Sequence, residues 1–340
     1  MAENRRFSQT LKPDQLELVG PATRIIGGAL GVVAGESVVV LADKSRRSLG
    51  GALIAAAEAL GAKATLLVLE ELSLPPDGRL AEFVEPTLAH VQASVVLVGA
   101  EHSPPLRRAF VEAVEHLGIR HAHIIGITRA GFIAGFAAES SRVADMTRAA
   151  YLKLTGKTKL RYTTPAGTAI DIRMSPDARW IERGELIRPG KWLNLPGGQL
   201  NALPEAVDGV FVANASSNLA FDGSADLRSR PIRFTLENGV VREVTCADAK
   251  VEAEVRELIA SEEKLDHVGH IVVGTNPGLS APMGEGMIDA CIPGVQLVFG
   301  WTNQKVTGAS WTTVKSFCVN GSSGNLDVEG VPVLRSGRYL

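Results

Sequence analysis

Apolar bursts separated by helical periodicity run through the first half of the chain. Residues 36–41 (ESVVVL) read as a buried strand, and 48–60 carry small and apolar residues at helical spacing. Residues 63–69 and 94–99 repeat the strand pattern. A helix follows over 106–117, opened by Pro104-Pro105, and a fourth strand over 122–128. Strands that are apolar throughout, alternating with helices, predict a parallel sheet covered on both faces and joined by right-handed crossovers.

The pattern changes after a helix ending near Lys157. Residues 159–174 alternate apolar and polar positions around Pro165-Ala166-Gly167, which predicts a hairpin. Turn signals then recur at Leu195-Pro196-Gly197-Gly198, Glu237-Asn238-Gly239, Asn276-Pro277-Gly278 and Glu329-Gly330. One Glu-rich helix, over 249–263, interrupts them. The expected fold is therefore α/β in two domains. A Rossmann-like parallel sheet with helices spans 1–158, and an antiparallel β-rich domain spans 159–340. A chain of 340 residues is long enough for two cores.

Composition narrows the partners. The net charge of -2 gives no electrostatic footprint for nucleic acid or an anionic membrane. No apolar run approaches the roughly 20 residues that a membrane helix needs. The polar start, Met1-Ala2-Glu3-Asn4-Arg5-Arg6, argues against a signal peptide. Cys246, Cys291 and Cys318 are odd in number and isolated, which fits a reducing cytoplasm better than a disulfide or thiolate-metal framework.

Several motifs carry candidate chemistry. Gly27-Gly28-Ala29-Leu30-Gly31 has glycines as in a dinucleotide loop, but it precedes the first strand instead of following it. The turn after that strand, Ala42-Asp43-Lys44-Ser45, holds no glycine. Those glycines are expected to serve close helix packing. His121 and His123 alternate on a predicted strand and would share one face, either as a structural pair or, with further donors, as a metal site. His270 opens the apolar run Ile271-Val272-Val273, which ends in the Gly274-Thr275-Asn276-Pro277-Gly278 turn. A histidine at a strand entrance beside a glycine-rich loop suits an acid, a base or a ligand, though it is also what a surface histidine looks like. Glu285 and Asp289 add carboxylates downstream. The hydroxyls of Ser310, Thr312, Thr313, Ser316, Ser322 and Ser323 lie in no Gly-x-Ser-x-Gly elbow.

The second half resembles the family of the 2,5-dihydroxypyridine 5,6-dioxygenases and, more remotely, the thermophilic-type metallo-aminopeptidases. The resemblance is carried by residues 162–168 (YTTPAGT), 194–199 (NLPGGQ), 237–239 (ENG), 270–277 (HIVVGTNP) and the C-terminal 327–340. It implies that His270 stands where the dioxygenases use a histidine for iron. It equally implies that Gln199 replaces a metal-binding glutamate of the aminopeptidases and that Gln296 replaces a histidine. The later His-x-Asp pair would fall within 309–314, where the chain has Ser310-Trp311-Thr312-Thr313.

Divalent iron or zinc wants three or more imidazole, carboxylate or thiolate donors, and neutral amides are poor substitutes. On this resemblance no metal and no cofactor are expected. Gln199, His270, Glu285, Gln296, Ser310 and Trp311 are expected to line a metal-free polar cleft with an aromatic wall. Such a cleft suits a peptide or a small aromatic molecule. The metal-poor branch is similar to the crocagin-type peptide-binding proteins, which implies a cytoplasmic accessory role toward partner enzymes of natural-product biosynthesis. Family relatives imply a homodimer. The rival expectation is a ring-cleaving dioxygenase or hydrolase with a rearranged metal site, using His270 with Glu285 or Asp289.

Overall fold

The computed structural model describes residues 16–74, 79–221 and 224–340; the polar start at residues 1–6 lies outside them. The chain divides into two compact units. One comprises the chain up to Ser141 together with Glu185–Pro196, and the other Arg142–Gly184 with Gly197–Leu340.

The first unit is built on five parallel strands in the spatial order Lys63–Val68, Ser37–Ala42, Ala93–Val98, Arg120–Ile125, Lys191–Asn194. Ala93–Val98 is buried at every position, as expected of a strand covered on both faces. Helices Arg47–Ala59, Leu80–Leu88 and Ser103–Leu117 alternate with the strands. Leu80, Val84, Leu106, Phe110 and Val114 from the last two helices pack on Val39, Leu41, Val96 and Val98.

Strand order reverses between Ser37–Ala42 and Ala93–Val98, the place where open α/β sheets commonly take nucleotides. Here that place is spanned by a side chain of the chain itself. Asp43, following the first strand, accepts the backbone N–H of Gly99 at 2.6 Å, beyond the other strand, and also binds Arg46 at 2.7 Å. Of the glycines ahead of the first strand, Gly27 and Gly28 lie in the π-helical segment Arg24–Ala29, and Gly31 follows it in a left-handed conformation. A Cβ on Gly28 would stand 2.9 Å from the Ser140 hydroxyl, so the glycine permits close packing.

The second unit holds two antiparallel sheets. One orders Val240–Cys246, Ile232–Glu237, Ala206–Ala213, Ala169–Arg173, Lys159–Thr163, Asn325–Val328, Val331–Arg335, Arg338–Tyr339. The other orders Ser224–Asp226, Ser216–Phe221, Phe317–Asn320, Gly294–Phe299, Val268–Gly274, Gln199–Ala202, Ile181–Arg183. Their apolar sides share one core, in which Leu160, Ile170, Phe211 and Phe234 meet Ile271, Leu297, Phe299 and Phe317. The expected hairpin is present, pairing Thr163 with Ala169 and Lys159 with Arg173.

The structure corrects the boundary expected at residue 158. Helix Ser140–Leu154 begins at the division, and its second half buries Ala150 and Leu154 in the core of the β-rich unit. The segment Glu185–Pro196 then returns to the first unit, where Lys191–Asn194 pairs with Arg120–Ile125.

Candidate functional site

The seven-stranded sheet has two chemically different sides. Leu200, Ala202, Ile271, Val273, Val295, Leu297, Phe299, Phe317 and Val319 all enter the core. Residues between them in sequence point the other way, because side chains alternate along a strand and paired residues share a side. Two cross-strand rows follow from the register. Ile181, Asn201, Val272 and Gln296 form one, and Arg183, Gln199, Gly274 and Gly294 the next. His270 lies on this same side, two residues before Val272.

His270 owes its setting to a local irregularity. Val268 pairs with Phe299 and His270 with Val298, so Gly269 is an extra residue in the strand. A bulge of this kind re-aims the neighbouring side chain. Only glycine fits there, since a Cβ would stand 2.3 Å from the Trp301 carbonyl oxygen. That carbonyl reaches His270 Nδ1 at 2.9 Å, and the Trp301 ring lies 5.3 Å from the imidazole.

A carbonyl can only accept, so Nδ1 carries the proton, and in the neutral ring Nε2 keeps a bare lone pair. The ring is neutral at physiological pH. Burial pushes its pKa down to about 4, and the positive charge of Arg183 acts in the same direction. His270 is 2% exposed, and its Nε2 is buried without a protein hydrogen-bond partner. Oδ1 of Asn201, on the neighbouring strand, is buried and unpartnered in the same way.

Of the other residues expected at the site, Gln296 and Gln199 share this side of the sheet. Gln296 is fully buried, and its amide clamps Gly321, accepting the backbone N–H at 2.5 Å and donating to the carbonyl at 3.4 Å. Gln199 lies in the polar row, with its amide nitrogen 3.2 Å from the Cys291 sulfur. Ser310 is exposed. Trp311 sits edge-on to His267 with the Lys264 ammonium over its ring, so the indole beside His270 is that of Trp301. Glu285 precedes the short helix Gly286–Asp289. Asp289 is buried, which raises its pKa, and its carboxylate binds the backbone N–H groups of Met283 and Gly284 at 2.7 and 3.0 Å. Asn201, Arg183 and Trp301 were recognisable from sequence only in part. The alternation Gln199-Leu200-Asn201-Ala202 marks a two-sided strand, but nothing in it shows which strand lies alongside.

In the first unit, His121 and His123 form a buried relay. Ser94 Oγ lies 2.7 Å from His121 Nδ1, and His121 Nε2 lies 2.8 Å from His123 Nδ1. Phe110 stacks on His121 and Trp192 meets the edge of His123. With one imidazole nitrogen bonded to the other ring, the pair is not arranged to chelate.

The sequence matches the family model of 2,5-dihydroxypyridine 5,6-dioxygenase over residues 29–279. The chain belongs to the 2,5-dihydroxypyridine 5,6-dioxygenase family. Its fold is shared with the 2,5-dihydroxypyridine dioxygenase of Pseudomonas putida KT2440, at 16% identity and a TM-score of 0.64, covering 95% of this chain and 96% of that one. Wild-type AmpT from Thermus thermophilus is similar at 19% identity and a TM-score of 0.64, covering 95% and 99%. None of the curated proteins matches the sequence.

The iron that the family resemblance implies can be tested against the donors present. Among the described residues, no three His, Cys, Asp or Glu side chains are gathered so as to hold a metal ion. Around His270 stand an amide, an indole and the charge of Arg183, which opposes a cation. This donor set does not fit an iron centre.

Proposed function

We propose that this member of the family is a metal-free binding protein. It holds a peptide or modified peptide on the polar side of the seven-stranded sheet and serves partner enzymes of a biosynthetic pathway in the cytoplasm. The observation that carries the reading is the donor set around His270. A neutral imidazole with a fixed tautomer, neighbouring amides and a half-exposed indole favour hydrogen bonding and ring contact over metal coordination. Among the described residues no helix is long and apolar enough to cross a membrane.

Metal analysis of the purified protein beside calorimetric titration with candidate peptides tests this reading. The expected result is binding without stoichiometric iron or zinc. His270→Ala should weaken that binding by about 0.5–1.5 kcal/mol, the value of one hydrogen bond. One equivalent of iron per chain, with turnover abolished by chelation or by His270→Ala, would instead establish the ring-cleaving reading. The protein is further proposed to be a homodimer, since its sheets end in strands whose edges need cover. Light scattering at micromolar concentration should give twice the chain mass, and a monomer would refute it.

A further inference from the structure

Buried polar atoms are nearly always hydrogen-bonded, so two unpartnered ones on the same side of a sheet call for an explanation. His270 Nε2 and Asn201 Oδ1 are such a pair. They are chemically alike. The Trp301 carbonyl fixes the His270 tautomer so that Nε2 can only accept, and an amide oxygen can only accept. Their placement is also defined. Asn201 pairs directly with Val272, and His270 lies two residues earlier on that strand, so the two are diagonal neighbours. Across an antiparallel pair such neighbours have their side-chain origins roughly 7–8 Å apart, close enough for one planar group to engage both.

We propose that His270 and Asn201 form a paired acceptor that selects ligands by their N–H or O–H donors, with Trp301 as the planar wall. This deepens the binding role proposed above and rests on the polar side of the sheet being the ligand site. Two bare acceptors would also suit a cation, but the nearby positive charge of Arg183 disfavours one. A carboxylate or phosphate presented alone would face two lone pairs and gain nothing from them. The chemistry recognised is therefore a planar ring or amide bearing two donors. It is available from a tryptophan-type peptide, through its indole and backbone N–H groups, or from a free dihydroxy-heteroaromatic.

Two pairs of probes separate these sources: N-acetyltryptophan amide with its N-methylated analogue, and 2,5-dihydroxypyridine with 2,5-dimethoxypyridine. Calorimetry should show at least one parent compound binding. Methylation of its donors, Asn201→Leu and His270→Leu should each weaken binding about five- to tenfold, as loss of one hydrogen bond does. Asn201→Asp, which keeps the acceptor, should retain most of the affinity and guards against a folding defect in the leucine variant. If the methylated analogues bind as tightly as their parents, or Asn201→Leu binds normally while Trp301→Ala does not, the acceptor pair is wrong although the face remains a ligand site. If no probe binds, the acceptor pair is wrong, and the binding role falls with it only if the candidate peptides also fail to bind. The 15N spectrum of the ligand-free protein gives an independent check, since His270 should show a protonated Nδ1 and a bare Nε2. A proton on Nε2 would overturn the proposal without reference to any ligand.

Discussion

Gly269 shows how much can depend on a missing side chain. Its absent Cβ is what lets the Trp301 carbonyl approach the strand and fix the His270 tautomer. In Gly269→Ala the new methyl would meet a backbone oxygen, which cannot rotate away. The variant is expected to lose about 1–3 kcal/mol, within the range for overpacked sites. Urea unfolding followed by tryptophan fluorescence should show a lowered midpoint and an altered native signal from Trp301; an unchanged midpoint would mean that the bulge relaxes freely. The sequence shows His270 as a strand-entrance histidine, whereas in the structure it is the buried third residue of Val268–Gly274, just past the bulge. Which indole it touches was not legible. Trp301 and Trp311 flank the same irregular loop, and only the pairing of Gly294–Phe299 with Val268–Gly274 brings the first of them to the imidazole. Gln296 was legible as a neutral amide in place of a histidine, but its commitment to Gly321 depends on a residue 25 positions away.

At the scale of elements, the first three strands of the parallel sheet were found within a residue or two, and the fourth, expected over 122–128, is Arg120–Ile125. Residues 94–99 correspond to Ala93–Val98, and 36–41 to Ser37–Ala42. Lys191–Asn194 escaped because it has four residues, lies between the Pro189-Gly190 and Pro196-Gly197 turns, and is only partly buried. Its neighbour Arg120–Ile125 carries the His121–His123 pair, whose burial has a consequence for acid stability. Burial lowers the pKa of both rings, that of His123 to about 3 with the charge of Arg107 assisting. Between about pH 6.5 and 3 the unfolded chain binds protons there that the folded chain does not. The neutral pair's contribution is therefore intact above pH 6.5 and is lost as the pH falls. The urea midpoint should drop steeply over that window. A double variant, His121→Gln with His123→Gln, should start less stable and show a flatter decline. Equal slopes in the two proteins would remove the pair as the cause.

For the molecule as a whole, the α/β character and the change from parallel to antiparallel sheets were legible, because apolar runs give way to alternation and turn residues near the middle of the chain. The discontinuity of the first unit was not. Periodicity describes segments and says nothing about a segment that leaves one core and returns to another. A fragment of residues 1–158 should consequently fail to fold stably. It lacks the strand that pairs with Arg120–Ile125, and it carries helix residues, Ala150 and Leu154, that belong in the other core. Circular dichroism of that fragment should show little cooperative melting; a sharp transition would show that four strands suffice.

The returning strand also sets an order of events during synthesis. N-terminal domains usually fold first as they leave the ribosome. Here the first four strands of the parallel sheet emerge with His121 and His123 lacking their neighbour Trp192, which is contributed by the fifth. At roughly 5–20 residues per second, that vacancy on the sheet edge lasts for several seconds of translation. The nascent chain thus exposes an unpaired parallel edge while the next unit is already being made. Chaperone dependence in the cell would trace to the order in which its segments are born.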